Sequence, residues 1–114
     1  MIRVYEKTTC TTCRRLATLL DERGVAFDRV DYHVDPLSED EIRALVHKTG
    51  EPASALLRRK EPAFKDLGLD SGDHSDDEVI ALMAEHPALL QRPIVEAGDR
   101  AVLARPPERV LELL

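Results

Sequence analysis

The sequence predicts one α/β domain, residues 1–114, whose elements follow the order β-α-β, a helical segment, and β-β-α, with a four-stranded mixed sheet. The length of 114 residues suits a single domain with one modest core. A strand, a helix and a second strand fill residues 2–32, which implies a parallel strand pair with a right-handed crossover. Further along, two β-prone runs flank a turn at Gly98-Asp99, which indicates an antiparallel hairpin.

The first three elements follow from local patterns. Residues 2–5 are short and β-prone, and residues 11–23 have the apolar spacing of a helix. Gly24 suits the position just after a helix end. Residues 25–32 alternate loosely between apolar and polar side chains, which predicts the second strand.

The middle of the chain, residues 36–90, is predicted to be a helical insertion without strands. Ser38 and Ser75 each begin a capping-box pattern, in which a serine is followed three residues later by a glutamate. The predicted helices are 39–48, a short piece at 53–57, a short helix opened by Pro62, and one from Ser75 to about His86.

The last third is predicted to hold the hairpin and a final helix. Residues 92–96 and 101–103 form its two strands. Pro106 and Pro107 suit the first turn of a helix that runs to the end of the sequence.

The two cysteines, Cys10 and Cys13, lie where the first strand gives way to the first helix. Unpaired backbone N–H groups and the positive end of the helix dipole stabilise a thiolate there and favour a bound anion. Cys13 falls on the apolar stripe and is expected to be half-buried, whereas Cys10 is expected to lie nearer solvent with a pKa below the roughly 8.5 of a free cysteine. A C-x-x-C motif beside a β-α pattern is typical of thioredoxin-like redox sites.

Cys10 is therefore the predicted nucleophile and Cys13 the candidate resolving thiol. The alternatives are two small apolar residues packed at a core edge and half of a zinc site. Zinc requires four ligands, and neither a second cysteine pair nor an ordered histidine pair supplies the others. No metal and no bound cofactor are expected.

Composition narrows the class of protein. Hydrophobic residues make up 43% of the chain and charged residues 33%, which fits a soluble globular protein. No apolar run approaches the roughly 20 residues that span a membrane, and no secretory leader is expected because Met1 leads straight into a strand. Two cysteines are too few for a disulfide framework, so a reducing cytoplasm is the expected setting. The net charge of -6 argues against a nucleic-acid partner.

Three arginines, Arg58, Arg92 and Arg105, stand at predicted element ends. The planar guanidinium gives two parallel hydrogen bonds to an oxyanion, so these positions suit a tetrahedral anion. Thr11 and Thr12 add small hydroxyl donors beside Cys10. Taken one at a time and from spacing alone, each arginine is better explained as a surface residue of a charge-rich chain.

Several segments spread over nearly the whole chain together resemble the ArsC family of arsenate reductases, the thioredoxin-fold class that draws electrons from glutathione and glutaredoxin. The C-x-x-C motif alone is not specific for this family, whereas the set is. The segments are Val4-Tyr5 through Cys10, Ala55-Leu56-Leu57-Arg58, Glu61-Pro62, Leu67-Gly68-Leu69, His86-Pro87, Arg92-Pro93-Ile94-Val95 and Arg105-Pro106.

The resemblance implies a thioredoxin-like fold with a helical insertion and a cis bond before Pro93. It implies that Cys10 is catalytic and that Arg58, Arg92 and Arg105 bind arsenate. Glutathione or another thiol would act as co-substrate, and glutaredoxin or thioredoxin as the protein partner.

The chain departs from the family at three positions. Glu6 and Lys7 stand where the family carries histidine and asparagine. A carboxylate raises the pKa of a nearby cysteine and a lysine lowers it, so the sign of their net effect on the pKa of Cys10 stays open. Cys13 is not required by the glutaredoxin-dependent members. The Cys10-Cys13 pair resembles that of Spx-type regulators, which sense redox state and bind RNA polymerase. Arsenate reduction is the leading hypothesis; the alternatives are such a regulator and a thiol-disulfide oxidoreductase of unassigned substrate.

Overall fold

The computed structural model describes residues 2–114, so Met1 lies outside the described part. The chain forms two compact units. The sheet unit comprises the chain up to Asp35 together with Arg92–Leu114, and the helical unit comprises Pro36–Gln91. None of the helices in residues 2–114 combines the length and the apolar character needed to cross a bilayer.

The sheet unit confirms the predicted four-stranded mixed sheet, whose strand order is β2-β1-β3-β4. β1 and β2 are parallel, whereas β1 with β3 and β3 with β4 are antiparallel. The crossover between β1 and β2 is α1. The bounds are β1 Ile2–Glu6, α1 Thr11–Glu22, β2 Phe27–Asp31, β3 Ile94–Ala97 and β4 Arg100–Leu103.

The core of this unit joins the buried side of α1 to the sheet. Leu16 and Leu20 on α1 are fully buried and cluster with Val4 of β1 and Val95 of β3. β1 is an inner strand of the sheet. The segment that follows its carboxyl end, and the start of α1 after it, therefore lie at the middle of the sheet edge.

The prolines shape the final third of the chain. The peptide bonds before Pro93 and Pro106 are both cis, the first as the family resemblance implies. β3 begins at Ile94, later than predicted, since a proline has no N–H for the sheet ladder. The final helix, Pro107–Leu113, is a 3-10 helix, longer than the three or four residues usual for this tighter form.

The helical unit contains α2, α3 and α4 and, as predicted, no strand among residues 36–91; Leu57 and Leu90 form one isolated β-bridge. Ile42, Leu45 and Val46 form the buried face predicted for α2. The α-helices are α2 Glu39–Thr49, α3 Pro62–Asp66 and α4 Asp76–Glu85, and the short 3-10 turns are Ala53–Leu56, Leu69–Ser71 and Pro87–Leu89.

The two predicted capping boxes differ. Ser38 makes the complete box, in which its hydroxyl accepts from the Glu41 N–H and the Glu41 carboxylate accepts from the Ser38 N–H. Ser75 makes only the first of these bonds, from the Glu78 N–H at 3.2 Å. The Glu78 carboxylate contacts the His74 ring at 3.1 Å and accepts from the Ser75 hydroxyl at 3.4 Å, so the geometry of the second cap differs from the box at Ser38.

Candidate functional site

Cys10 is the N-cap residue of α1. In the turn that joins Cys10 to β1, the Cys10 N–H donates to the Lys7 carbonyl at 2.9 Å. The Cys10 sulfur accepts a hydrogen bond from the Cys13 N–H at 3.4 Å, so it occupies the position that a capping oxygen usually takes. The side chain is half-buried. The sulfur therefore faces unpaired backbone N–H groups of the first helical turn.

The surroundings of Cys10 favour its ionised form. Burial by itself raises the pKa of this thiol, but hydrogen bonds from the Cys13 side chain, from the Cys13 N–H and from Arg92 outweigh burial. The pKa of Cys10 consequently lies below its ordinary value, the direction expected for a cysteine at a helix start.

Cys13 differs sharply from Cys10 in its environment. Its exposed fraction is 1%, so the prediction that it would be half-buried was wrong. Burial raises the pKa of its thiol to about 12, with the Lys7 N–H opposing the rise and the charges of Cys10 and Glu6 adding to it. At neutral pH, Cys13 is thus a protonated thiol that supports the Cys10 thiolate. Both cysteines are free, with no disulfide between them.

Arg92 brings a buried positive charge to Cys10. Its exposed fraction is 7%. The guanidinium lowers the pKa of the Cys10 thiol and opposes the burial that raises the pKa of the Tyr32 hydroxyl. Arg105 joins this group from the end of β4, where its Nη1 donates to the Arg92 carbonyl oxygen at 3.1 Å. The sheet unit therefore brings Cys10, Cys13, Arg92 and Arg105 together.

Arg58 belongs to the helical unit. Its Nη1 donates to the side-chain oxygen of Gln91 at 3.3 Å, and its backbone N–H donates to the Leu89 carbonyl at 2.7 Å. The side chain is half-buried. Its part in anion binding remains a prediction from the family resemblance.

Thr11 and Thr12 are the first two residues of α1, the former exposed and the latter half-buried. Their backbone N–H groups belong to the first helical turn, which lacks intrahelical acceptors. Thr11 also borders an open groove of about 580 Å³ along α1. The groove is lined by Thr11, Arg14, Arg15, Thr18, Leu19, Glu22, Pro107 and Glu108.

Glu6, at the end of β1, is a buried carboxylate with an exposed fraction of 1%. Arg29 of β2 pairs with it through two hydrogen bonds, from Nε to Oε1 and from Nη2 to Oε2, the second at 3.1 Å. The charge of Glu6 acts on Cys13, whose pKa it raises. Glu6, one of the positions at which this chain departs from the family, thus affects the pKa of Cys13, the buried thiol of the pair.

Sequence reasoning missed Tyr32 and Arg29. Both lie in or just after β2, and the carboxyl ends of adjacent parallel strands share one edge of a sheet. Because the β-α-β pattern predicts that β2 lies parallel to β1, the end of β2 belonged among the candidate neighbours of Cys10.

The described residues offer no evident metal site. Within residues 2–114, no group of three or more His, Cys, Asp or Glu side chains is arranged to hold an ion. His74 instead contacts the Gly68 carbonyl and Glu78 at the start of α4. The chemistry that this site can support is that of a half-buried thiolate beside a buried guanidinium.

Comparisons with known proteins converge on one family. Residues 5–113 match the family model described as the ArsC family. A protein of Neisseria meningitidis serogroup A named arsenate reductase is 35% identical over 114 residues, which cover 99% of this chain and 97% of that protein.

Solved structures agree with this result. The arsenate reductase from Vibrio cholerae superposes with a TM-score of 0.93 at 37% identity, covering 99% of this chain and 97% of the other. A putative arsenate reductase from Yersinia pestis gives a TM-score of 0.89 at 34% identity, covering 98% and 99%.

Proposed function

This chain belongs to the ArsC family, and we propose that it is an oxidoreductase that reduces arsenate to arsenite through a covalent adduct on Cys10. The observation that carries the proposal is the setting of the Cys10 sulfur. It caps α1 and accepts a hydrogen bond from the Cys13 N–H, and the positive charge of Arg92 helps to lower its pKa. A stabilised thiolate beside a fixed positive charge suits a reaction between a thiol and an oxyanion.

The arsenate oxygens are assigned to backbone donors and guanidinium groups. The N–H groups of Thr11 and Thr12, at the start of α1, suit an anion. Arg92 and Arg105 contribute positive charge from the sheet unit, and Arg58 is included on the family resemblance. These groups neutralise the bound anion and the charge that builds up as the sulfur attacks.

The reaction balances with two thiols. The Cys10 thiolate attacks arsenic, a sulfur–arsenic bond forms, and one arsenate oxygen takes up protons and leaves as water. The sulfur of a second thiol then bonds to the Cys10 sulfur, and the electron pair of the sulfur–arsenic bond passes to arsenic. The products are arsenite, a disulfide and water, so arsenic gains the two electrons that the thiols lose.

Cys13 is a candidate for that second thiol. Its buried position slows its ionisation, since burial is the main cause of its raised pKa. The negative charge of Cys10 contributes to the same rise. That charge is lost once Cys10 is bonded to arsenic, so the adduct itself makes Cys13 easier to ionise. An external thiol such as glutathione is the alternative, and glutaredoxin or thioredoxin would then reduce the resulting disulfide.

The proposal is tested by arsenate reduction, with arsenite release and thiol consumption measured together, and with glutaredoxin and thioredoxin supplied separately. We expect activity with at least one donor, and none from Cys10→Ser, because a hydroxyl does not replace the thiolate. Arsenite production by Cys10→Ser at the wild-type rate would remove the mechanism.

A thiol-disulfide oxidoreductase is the second candidate, since the Cys10–Cys13 contact also suits a disulfide between these residues. A wild-type protein that reduces protein disulfides but leaves arsenate unchanged would favour it. For a regulator that binds RNA polymerase, a buried guanidinium that stabilises the Cys10 thiolate has no evident use. Capture of RNA polymerase by wild type but not by Cys10→Ser would nevertheless support that alternative.

A further inference from the structure

We propose that Gln91 is a positioning residue, whose side-chain amide holds the Arg58 guanidinium in a fixed direction while leaving its positive charge available to an anion. The inference deepens the proposed function, on which it rests for its arsenate readout. Both residues belong to the helical unit, and the contact between them can be measured without any substrate.

The backbone around Arg58 is tied to the segment that ends at Gln91. The Arg58 N–H donates to the Leu89 carbonyl at 2.7 Å, and the Gln91 N–H donates to the Leu56 carbonyl at 2.8 Å. These two bonds flank the isolated antiparallel bridge between the two segments. Backbone groups therefore fix the register in which Arg58 and Gln91 face each other.

This register brings the two long side chains to the same side of the paired segments. Side chains alternate between the two sides of an extended pair, and diagonal neighbours, roughly 7–8 Å apart, are within reach of long side chains. Arg58 lies opposite Leu89 and Gln91 lies opposite Leu56, so Arg58 and Gln91 are diagonal neighbours. Arg58 Nη1 donates to Gln91 Oε1 at 3.3 Å. The side-chain contact thus follows from the backbone pairing.

The acceptor for Arg58 is neutral, and this decides what the guanidinium can still bind. A guanidinium carries five N–H donors, and the Gln91 amide oxygen accepts from only one of its nitrogens. In the same unit, Arg43 is paired at 3.2 Å with the Asp77 carboxylate, which offsets its charge. Within residues 2–114, no carboxylate lies at ion-pair distance from Arg58. Arg58 is therefore oriented without being neutralised, which suits a group that binds an oxyanion.

The first test is Gln91→Leu, which removes the acceptor and keeps the backbone N–H that bonds Leu56. We expect the KM for arsenate to rise about fivefold, the effect of one hydrogen bond. The kcat should stay nearly unchanged, because a contact that orients the anion equally in the ground state and the transition state acts on KM alone. If thermal stability falls while KM does not move, Gln91 is only a packing residue and the proposal is overturned.

Asp77→Ala is the matched control. Asp77 accepts from Arg43 Nη2 at 3.2 Å, and the two residues are 34 positions apart, against 33 for Arg58 and Gln91. The variant therefore removes a comparable long-range contact from the same unit. It should keep the wild-type KM. Equal increases of KM in Asp77→Ala and Gln91→Leu would show a general loosening of the unit and would count against a specific role of Gln91.

A second variant, Gln91→Glu, keeps the length of the side chain and turns the neutral acceptor into a carboxylate. It also serves should Gln91→Leu not fold. We expect KM to rise at least as much as in Gln91→Leu, because the carboxylate offsets the charge of Arg58 although it holds the guanidinium firmly. A wild-type KM in Gln91→Glu would overturn the proposal, since the contact would then matter and the neutrality of the acceptor would not.

The effect of Gln91 should act through Arg58. In an Arg58→Ala background, Gln91→Leu should cause no additional rise in KM, because the group that the amide holds is absent. A further rise of the same size as in the wild-type background would contradict the proposal.

Failure of the proposed function is distinguishable from failure of this inference by a readout that needs no substrate. The guanidinium signals of Arg58, identified by their loss in Arg58→Lys, are followed by NMR of nitrogen-labelled protein, and Gln91→Leu should speed rotation about the Nε–Cζ bond. If wild type does not reduce arsenate while this rotation is faster in Gln91→Leu, the substrate assignment falls and the positioning of Arg58 stands. If wild type reduces arsenate and neither the rotation nor KM changes, the reverse holds.

Discussion

At the residue scale, the arginines around Cys10 differ in burial and in partners. Arg92 is buried and lowers the pKa of Cys10, whereas Arg105 is half-buried and its guanidinium donates to the Arg92 carbonyl oxygen. A guanidinium whose charge stabilises the thiolate is also placed to act on the bound anion. Arg92 therefore has the larger expected effect of the two.

We predict that Arg92→Ala lowers kcat/KM for arsenate by about 10²–10³, the range measured for removal of one oxyanion donor, and that Arg105→Ala and Arg58→Ala lower it less. Lysine at Arg92 should restore little, because it lacks the fork. Steady-state kinetics and thermal unfolding of each variant check this. Arg100→Ala is the control, since Arg100 is exposed and bonds the Glu112 carbonyl. Wild-type rates in all three variants would refute the oxyanion site.

At the element scale, α1 carries both thiols in its first turn, one at the N-cap and one on the buried face. The helix thus fixes the distance between them before any reaction. A thiol held beside an adduct has a high effective concentration, whereas burial slows its ionisation. Which effect is larger decides whether the disulfide forms within α1 or with an external thiol.

We predict the internal route. After arsenate is added without glutathione, wild type should lose about two hydrogens in mass, located by mass spectrometry in a Cys10–Cys13 disulfide, because Cys13 is the nearest thiol. Cys13→Ser should keep the first step, accumulate the arsenic adduct on Cys10 and depend on glutathione for turnover. If Cys13→Ser instead turns over like wild type, and both need glutathione, the resolving thiol is external and Cys13 has a packing role.

At the scale of the whole molecule, the buried thiol links the stability of the fold to pH. The pKa of Cys13 is about 12 in the folded protein, against roughly 8.5 for a free cysteine. Below the unfolded value the thiol is protonated in both states, and its contribution to stability is complete. As pH rises toward the folded value, the unfolded chain loses this proton first, so the free energy of unfolding falls.

We therefore predict that the free energy of unfolding of wild type falls more steeply with pH than that of Cys13→Ala, above about pH 8.5. Urea unfolding at a series of pH values measures both slopes. Both proteins carry Cys10→Ser in this experiment, because the Cys13 side chain also lowers the pKa of Cys10. Between pH 6 and 8 the two curves should then run parallel, offset by the cavity that alanine leaves, which is the internal control. Equal slopes in the alkaline range would show that the Cys13 thiol ionises as easily in the folded protein as in the unfolded chain.

The sequence by itself determined the order of the elements and most of their ends. These depend on neighbouring residues: the serine cap at Ser38, the turn at Gly98-Asp99, and the spacing that buries Leu16 and Leu20 on one side of α1. The C-x-x-C motif at the strand–helix junction is local in the same sense. The family resemblance was visible for the same reason, since it consists of short contiguous segments.

The tertiary structure alone decided how each of these groups is surrounded. The sequence did not predict the full burial of Cys13 or the pairing of Glu6 with Arg29, because each depends on chain segments that only the register of the sheet brings together. Burial and neighbouring charge, not residue type, set a thiol's pKa. Two cysteines of one motif thus become a thiolate and a protonated thiol, a difference that arises only when β1, β2 and the start of β3 meet around α1.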